Sequence, residues 1–526
     1  MLVQSTLESS LDKSPYSTVY YSVESGFNIK NPDGNSPIRK IIGLAVTALM
    51  SSSLLILTAG QAHAANQVKY PGTPTTHSSG MVFGYYTNWD IYARNYQATA
   101  ENIPFLDLSA VIYAFAEVGN CALPYSLIDP TVCNAGSYAT GIQDYKLYST
   151  DPWSDFNKVP LGYKLAGSSA KGTMSKIINQ AHAHDKPALL SIGGYSLSAP
   201  LLTAMRADKR TAFINSIMQF LQTVKNDNNK YPNFAGGGFD GIDIDWEPNG
   251  NDWTQLKPED IQAFADFLQQ LRTALKQDSP TSWLTIAMPA APASIDALAA
   301  QAAALKEILG NVDFIDAMTY DYHGAFDQPL ISNFLQPINY DEAQPGNVEH
   351  RADFNLAATL QAYQRAGVPP AQMLLGAPTY GRAVQGVVAT APIQYPWAAG
   401  LYQPFSSVML PGEYGDNTGT YDYKYIVQNM EGNGGFKQYT VNNSRAVTLN
   451  SDTTMIGTAA YNPNYLNYGG TFISFVDEKN VATVADLVND NKLAGIMVWA
   501  LDGDFPANDP NYNAKSLIHA AKANLR

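Results

Sequence analysis

Residues 239–247 read Phe239-Asp240-Gly241-Ile242-Asp243-Ile244-Asp245-Trp246-Glu247. Carboxylates at 243, 245 and 247 alternate with Ile242, Ile244 and Trp246, and side chains two apart share one face of a β-strand. The spacing therefore predicts a strand with one apolar and one acidic face. Three carboxylates on one face cannot all ionise cheaply, so repulsion raises at least one pKa. A Glu protonated near neutral pH is what a general acid needs. A calcium loop counted from Asp243 would want Gly at its sixth position and Glu at its twelfth. The chain has Pro248 and Thr254 there. A solvated acidic edge would not interleave with Ile and Trp, so the pattern favours catalysis.

Outward from this segment, short β-branched and aromatic runs predict strands near 82–86, 110–115, 188–192, 239–245, 283–288, 314–319, 373–378 and 495–499. Amphipathic helices are predicted between several of them, at 173–184, 210–225, 258–276 and 356–366. Eight strands alternating with helices point to an α/β protein with a parallel sheet. The count favours a closed (β/α)8 TIM barrel over an open doubly wound sheet. Inside such a barrel the carboxylates of the fourth strand would rise toward the carboxyl-terminal rim, where barrel sites form. The rhythm breaks after Arg382 and resumes after Phe472. Residues 383–472, rich in Gly, Tyr, Asn and Thr, are expected to form a small α+β insertion after strand seven, with the barrel at 81–382 and 473–526.

Ahead of the barrel, Arg39 and Lys40 precede an apolar run at 41–57 and a small-x-small site, Ala62-His63-Ala64. That order is a signal peptide's. The run is short and interrupted by Ser51, Ser52 and Ser53, which disfavours a membrane anchor. Residues 1–38 fit either an over-extended start or an extended export leader, and 65–80 form a polar linker. Cleavage would remove Glu8, Asp12, Glu24 and Asp33 together with Lys13, Lys30, Arg39 and Lys40, leaving the net charge at −14. Such a charge argues against a broad grip on nucleic acid. Charged residues are sparse at 15%, and the 32 tyrosines equal the lysines and arginines together, which suits a neutral, sugar-like ligand. Cys121 and Cys133 are the only two cysteines. Export favours a loop-closing disulfide between them, with two free thiols as the alternative. Neither a zinc pattern nor HExxH occurs, so no metal or cofactor is expected.

DGIDIDWE resembles the DxxDxDxE signature of glycoside hydrolase family 18, the chitinase family. Ser191-Ile192-Gly193-Gly194 resembles that family's SxGG motif at the end of strand three. Met318-Thr319-Tyr320-Asp321 resembles MxYD at the end of strand six, Tyr380-Gly381-Arg382 follows strand seven, and Trp499 ends strand eight. The ordered match spans about 81–520. The stretch from Tyr322 to Asp327, and Trp89 with Arg94-Asn95-Tyr96, look closest to bacterial chitinase A catalytic domains. The insertion is similar to the one that deepens the cleft in those enzymes.

The resemblance implies a retaining hydrolase whose substrate supplies the nucleophile. It makes Glu247 the acid and then the base, and Asp245 the partner of the sugar acetamide. Asp243 would share a proton with Asp245, above Tyr85 and Ser191. Tyr320 would bind the acetamide carbonyl, Trp499 would form the sugar floor, and Asp321 and Arg382 would bind hydroxyls. Met318 joins the substrate-binding set, and Trp89, Tyr195 and Trp397 are candidate stacking platforms. Ordinary packing is the competing role for Trp499, Tyr85, Met318 and Trp397, and tight strand-end packing for Ser191. Asp240 is expected to fix a loop rather than touch sugar. Two departures from the family pattern stand out: Pro248 where an aromatic commonly follows the acid, and Tyr195 where chitinase A enzymes carry Trp. The implied partners are chitin and chitooligosaccharides, without nucleic acid and without membrane once the signal is cleaved. An endo-β-N-acetylglucosaminidase acting on N-glycans and a non-catalytic chitin-binding lectin are the alternatives, and association with a larger secreted or toxin assembly is compatible with the sequence. With barrel, insertion and leader assigned, no separate carbohydrate-binding domain is expected within these 526 residues.

Overall fold

The acidic segment forms the fourth strand of an eight-stranded parallel barrel in the computed structural model. The strands are β1 (Met81–Thr87), β2 (Ala110–Val118), β3 (Ala188–Gly193), β4 (Gly241–Asp245), β5 (Trp283–Met288), β6 (Phe314–Ala317), β7 (Met373–Pro378) and β8 (Gly495–Trp499). Each pairs in parallel with its sequence neighbours, and β1 pairs with both β2 and β8, which closes the barrel. The structure describes residues 79–526 except 97, 100, 120–144, 152, 158–171, 230–237, 347–349, 351, 389–399, 410, 416, 431–436, 443–454 and 463–469. The leader expected at 1–64, the linker through residue 78, Cys121, Cys133 and Trp397 lie outside the described residues.

Alternation along β4 sorts its side chains between two cores. Ile242, Ile244 and Trp246 join the outer core between strands and helices, where Trp246 packs against Trp253 and Phe264 with ring centroids 5.1 and 5.0 Å away. The outer layer comes from helices such as Thr173–Ala183, Ala207–Asn229, Pro258–Asp278, Leu356–Arg365 and Glu478–Asp490. Two of these begin on a side-chain cap: Asn355 accepts from the Ala358 N–H, and Asp477 accepts from Lys479 and Asn480. Such caps satisfy amides that the first helical turn leaves open.

The barrel interior is a separate cluster. Phe83, Trp283 and Phe314 close it with mutual centroid distances of 5.9, 5.2 and 5.3 Å, and Leu189, Leu374 and Met497 pack with them. An interior filled by side chains is a core rather than a pore. The carboxylates of β4 therefore share an apolar interior.

Two strand ends differ from expectation. β4 starts at Gly241 rather than 239, and Glu247 lies past its end, where its N–H bonds to Ser198 Oγ at 2.7 Å instead of a neighbouring strand. β6 stops at Ala317 rather than 319, because the Thr319 and Tyr320 N–H groups turn back onto the carbonyls of Ala317 and Met318 at 2.8 Å each. In both places the chain leaves the ladder where the site residues begin.

After β7 the chain enters a second, antiparallel sheet. Its central strand Tyr380–Val387 pairs with Gly470–Phe475 on one side and with Ser407–Val408 and Thr420–Asp422 on the other, and Met455–Asn462 and Lys437–Asn442 extend it. Arg94, in the loop after β1, ties this sheet to the barrel. It pairs with Asp422 at 3.3 Å and with Asp502 beyond β8, and its guanidinium carbon lies 4.7 Å from the Tyr414 ring centroid. Among the described residues no helix is long and apolar enough to cross a membrane.

Candidate active site

Strand register sets Asp243 between two hydroxyls. Ser191 on β3 and Thr285 on β5 are its register partners on either side. Ser191 Oγ donates to Asp243 Oδ2 at 2.7 Å, Thr285 Oγ1 donates to Oδ1 at 2.7 Å, and Tyr85 Oη donates to Oδ2 at 2.9 Å. Asp243 is fully buried, and burial pushes its pKa up while these donors pull it back. Neutral donors aimed at both oxygens stabilise the anion.

Asp245, one step nearer the rim, has no such support. It too is buried, and its Oδ1 has no hydrogen-bond partner. Burial, then the charges of Glu247, Asp243 and Asp316, raise its pKa well above the usual carboxylate range. Asp243 is thus equipped to carry charge and Asp245 to carry a proton.

Glu247 stands half-buried at the rim. Burial first, and then the negative charge of Asp321, raise its carboxyl to about 7. Its backbone is fixed from behind: Ser198 Oγ accepts from the Glu247 N–H at 2.7 Å and donates to the Gly194 carbonyl at 3.0 Å. The double glycine permits this packing. Gly193 has φ +115°, and a Cβ there would sit 2.1 Å from the Asp245 carbonyl oxygen. The Gly194 N–H donates to that same oxygen at 2.8 Å.

Asp321 adopts a left-handed φ of +54°. A non-glycine residue there is held by its surroundings. Arg382 grips the carboxylate as a fork, Nε to Oδ1 at 2.9 Å and Nη2 to Oδ2 at 2.7 Å, and Tyr380 Oη donates to Oδ2 at 2.7 Å. The planar guanidinium suits this two-point contact. Tyr320 lies beside Tyr380 with centroids 6.4 Å apart, and its hydroxyl contacts Met497 Sδ at 4.0 Å. Met318 is buried in the inner cluster, against which Tyr320 and Trp499 pack.

Aromatic rings line the mouth. Trp499 meets Tyr85 edge-on at 5.3 Å and stacks on Phe115 at 5.6 Å, and Phe115 leads to Trp89 at 6.1 Å. Trp89 is 37% exposed and Tyr195 69%. A Cβ on Gly250, in the loop after Glu247, would lie 3.5 Å from the Tyr195 hydroxyl. Asp240 sits before the start of β4, where Oδ2 accepts from the Ala188 N–H at 2.8 Å and faces His182 Nε2 at 2.7 Å.

The structure thus gathers Tyr85, Ser191, Asp243, Asp245, Glu247, Tyr320 and Trp499 around one barrel mouth, with Met318 packed beneath and Asp321 and Arg382 on its flank. Four participants are not singled out by the sequence, Thr285, Ser198, Phe115 and Asp316, and Tyr380 enters there only as part of Tyr380-Gly381-Arg382. A lone acid in the apolar run of β6 was the one available signal, and it marks Asp316, which is fully buried. Among the described residues no cluster of His, Cys, Asp and Glu is arranged to hold a metal.

The chain is 29% identical to Chitinase A1 of Niallia circulans over 456 residues, covering 82% of this chain and 58% of that protein. It is 28% identical to Chitinase A of Pseudoalteromonas piscicida, covering 82% of this chain and 52% of that protein. It therefore spans a little over half the length of these two relatives. Among solved structures, chitinase ChiA74 from Bacillus thuringiensis shares its fold with a TM-score of 0.65 at 24% identity, covering 84% of this chain and 69% of that one. The model of glycosyl hydrolases family 18 matches residues 81–504, from the first residue of β1 to the turn beyond β8, and the chain belongs to that family.

Proposed function

We propose that the chain is an exported chitinase that hydrolyses β-1,4 bonds between N-acetylglucosamine units with retention of configuration. The observation that carries this reading is the division of labour along one strand: Glu247 at the rim with its carboxyl raised to about 7, and Asp245 beneath it, buried with an unpartnered oxygen. An acid protonated near neutral pH can protonate a glycosidic oxygen, and a buried carboxyl beside it can orient an amide N–H.

In this mechanism Glu247 gives its proton to the glycosidic oxygen as the bond to the anomeric carbon breaks. The acetamide carbonyl oxygen of the same sugar attacks that carbon from the opposite face, forming an oxazolinium ion. Asp245 accepts a hydrogen bond from the acetamide N–H, and the Asp243 anion beneath it offsets the positive charge. Tyr320 holds the acetamide carbonyl, and Asp243 carries the anion held by Tyr85, Ser191 and Thr285. Glu247, now a carboxylate, removes a proton from water as that water opens the ion. Two displacements at one carbon retain its configuration. Trp499 forms the floor of the reacting sugar, and Phe115 and Trp89 continue an apolar surface outward. Such faces suit pyranose rings better than charged ligands.

Chitohexaose hydrolysis followed by NMR tests this reading. The parent protein should release products whose first-formed anomer is β, and Glu247→Gln should lower kcat by about a thousandfold while oligosaccharide binding persists. Release of N-glycans from a glycoprotein without cutting of chitohexaose would replace the reading with an endo-β-N-acetylglucosaminidase. Binding without turnover by the parent would replace it with a lectin.

A further inference from the structure

The barrel interior holds one more acid than the proposed mechanism uses. Asp316 on β6 is fully buried, between its register partners Ala287 on β5 and Leu374 on β7. The titratable groups bearing on it are Asp243 and Asp245 on β4 and Tyr85 on β1. Its Oδ2 lies 3.5 Å from Tyr85 Oη, and its Oδ1 has no hydrogen-bond partner.

Tyr85 has a single proton to donate and two carboxyls to choose between. Asp243 Oδ2 is closer, at 2.9 Å against 3.5 Å, and it also receives Ser191, while Thr285 serves its other oxygen. The phenol proton therefore goes to Asp243, and Asp316 is left without a donor. Two anions bridged by one phenol, above a floor of Phe83, Trp283 and Phe314, would be costly in so apolar an interior. A proton on Asp316 removes the second charge, and the resulting O–H then faces a free lone pair on Tyr85 Oη. Burial and the neighbouring Asp243 push its pKa well above the usual range, which agrees with this arrangement.

Building on the hydrolase reading above, we propose that Asp316 is a positioning residue: as a neutral acid it donates to Tyr85 Oη, Tyr85 donates to Asp243, and the interior's negative charge is thereby fixed on Asp243. The chain Asp316–Tyr85–Asp243 thereby leaves Asp245 as the neutral carboxyl beside the acetamide. No bond to substrate is made by Asp316.

Two substitutions separate this role from simple packing. Asp316→Asn keeps a neutral donor of the same size and should lower kcat no more than about threefold, whereas Asp316→Leu removes the donor and should lower it about tenfold, the worth of one buried hydrogen bond. KM should stay within about twofold in both, since the contact is not to substrate. In the Leu variant the acid limb of the kcat profile should move to higher pH, because Asp243 loses part of the support for its anion, while in the Asn variant it stays. Equal kcat in Asn, Leu and parent would overturn the proposal, as would an Asn variant as impaired as Leu, which would require a charged Asp316. Infrared difference spectra of folded parent against Asp316→Asn give a readout independent of turnover. One protonated-carboxyl C=O band of the parent at neutral pH should be lost in the variant, the bands of the other buried acids cancelling in the difference. A difference spectrum without such a lost band overturns the neutral-acid assignment. A parent that shows the band but cuts no chitohexaose defeats the hydrolase reading and the positioning role with it, leaving only the protonation state.

Discussion

Burial at the barrel rim and the negative charge of Asp321 act in the same direction on Glu247, and together they bring its carboxyl to about 7. Catalysis starts from the protonated form, so the rate should fall as pH rises through that value. Asp321→Asn removes the nearby negative charge and frees the Arg382 fork that now neutralises it. Both changes favour the Glu247 anion, so the carboxyl loses its proton at lower pH. The alkaline limb of kcat/KM on a chromogenic chitobioside should accordingly move to lower pH in Asp321→Asn; an unmoved limb, or one moved upward, would rule out this electrostatic link. At this scale the densest cluster is legible in the chain itself. Alternation with Ile242, Ile244 and Trp246 already separated the acidic face of β4 from the apolar one. Thr285 and Asp316 stayed hidden because single polar residues within buried runs acquire meaning only from register. Nothing local says that Thr285 stands opposite Asp243, or that Asp316 approaches Tyr85 across the barrel from more than two hundred positions away in the chain.

Between the acidic strand and its neighbour β3, the packing is set by backbone against backbone. Gly193 shows this most plainly: at φ +115°, a Cβ would meet the Asp245 carbonyl oxygen at 2.1 Å. Gly193→Ala must push β3 away from β4 or twist the turn that carries Ser198, and Ser198 holds the Glu247 amide. A cost of about 2 kcal/mol or more is expected for a side chain forced into this geometry, with a fall in kcat because Glu247 shifts with the turn. Gly310 in the helix Ala302–Asn311 is the matched control, since nothing lies within 4 Å of a Cβ there. Gly310→Ala should raise stability by about 0.5–1 kcal/mol through helix propensity and leave kcat alone. Urea unfolding of both variants decides the point; equal stability changes would mean that Gly193 is not packed as described. Elements of this kind were legible from the chain because barrel strands are unbroken apolar runs separated by amphipathic helices. Strand ends were less legible. β4 starts at Gly241 rather than 239, and β6 stops early because two turn-back carbonyls take amides that a sequence reading assigns to the ladder.

On the scale of the whole molecule, acids are buried far beyond the candidate site. Asp155 accepts from Ser149, Tyr113 and Asn88, yet burial raises it to about 7, and Asp504, bonded by Ser516 and two backbone amides, rises to about 6. Glu413 in the insertion reaches about 7, and Asp90, Asp502, Asp243, Asp245 and Asp316 are raised as well. Asp90 and Asp502 of this group stand beside Arg94, which joins barrel and insertion. No pattern in the sequence announces this, because burial of an isolated Asp is a property of the assembled fold. The sign of its consequence is fixed by linkage. In the unfolded chain these carboxyls lose their protons near pH 4, whereas in the folded chain they keep them to about 6 or 7. Over that interval the folded state binds more protons, so stability is fully present below the unfolded pKa and declines as pH rises through the folded one. A net charge of −14 at pH 7 adds self-repulsion of the same sign. Thermal unfolding should therefore give a higher Tm at about pH 5.5 than at about pH 7.5, and Asp155→Asn should flatten that dependence by removing one of the groups that cause it. A Tm that climbs between those two pH values would mean that the buried acids ionise with the rest, and that Asp155 and Asp504 are stabilised as anions by their hydrogen bonds.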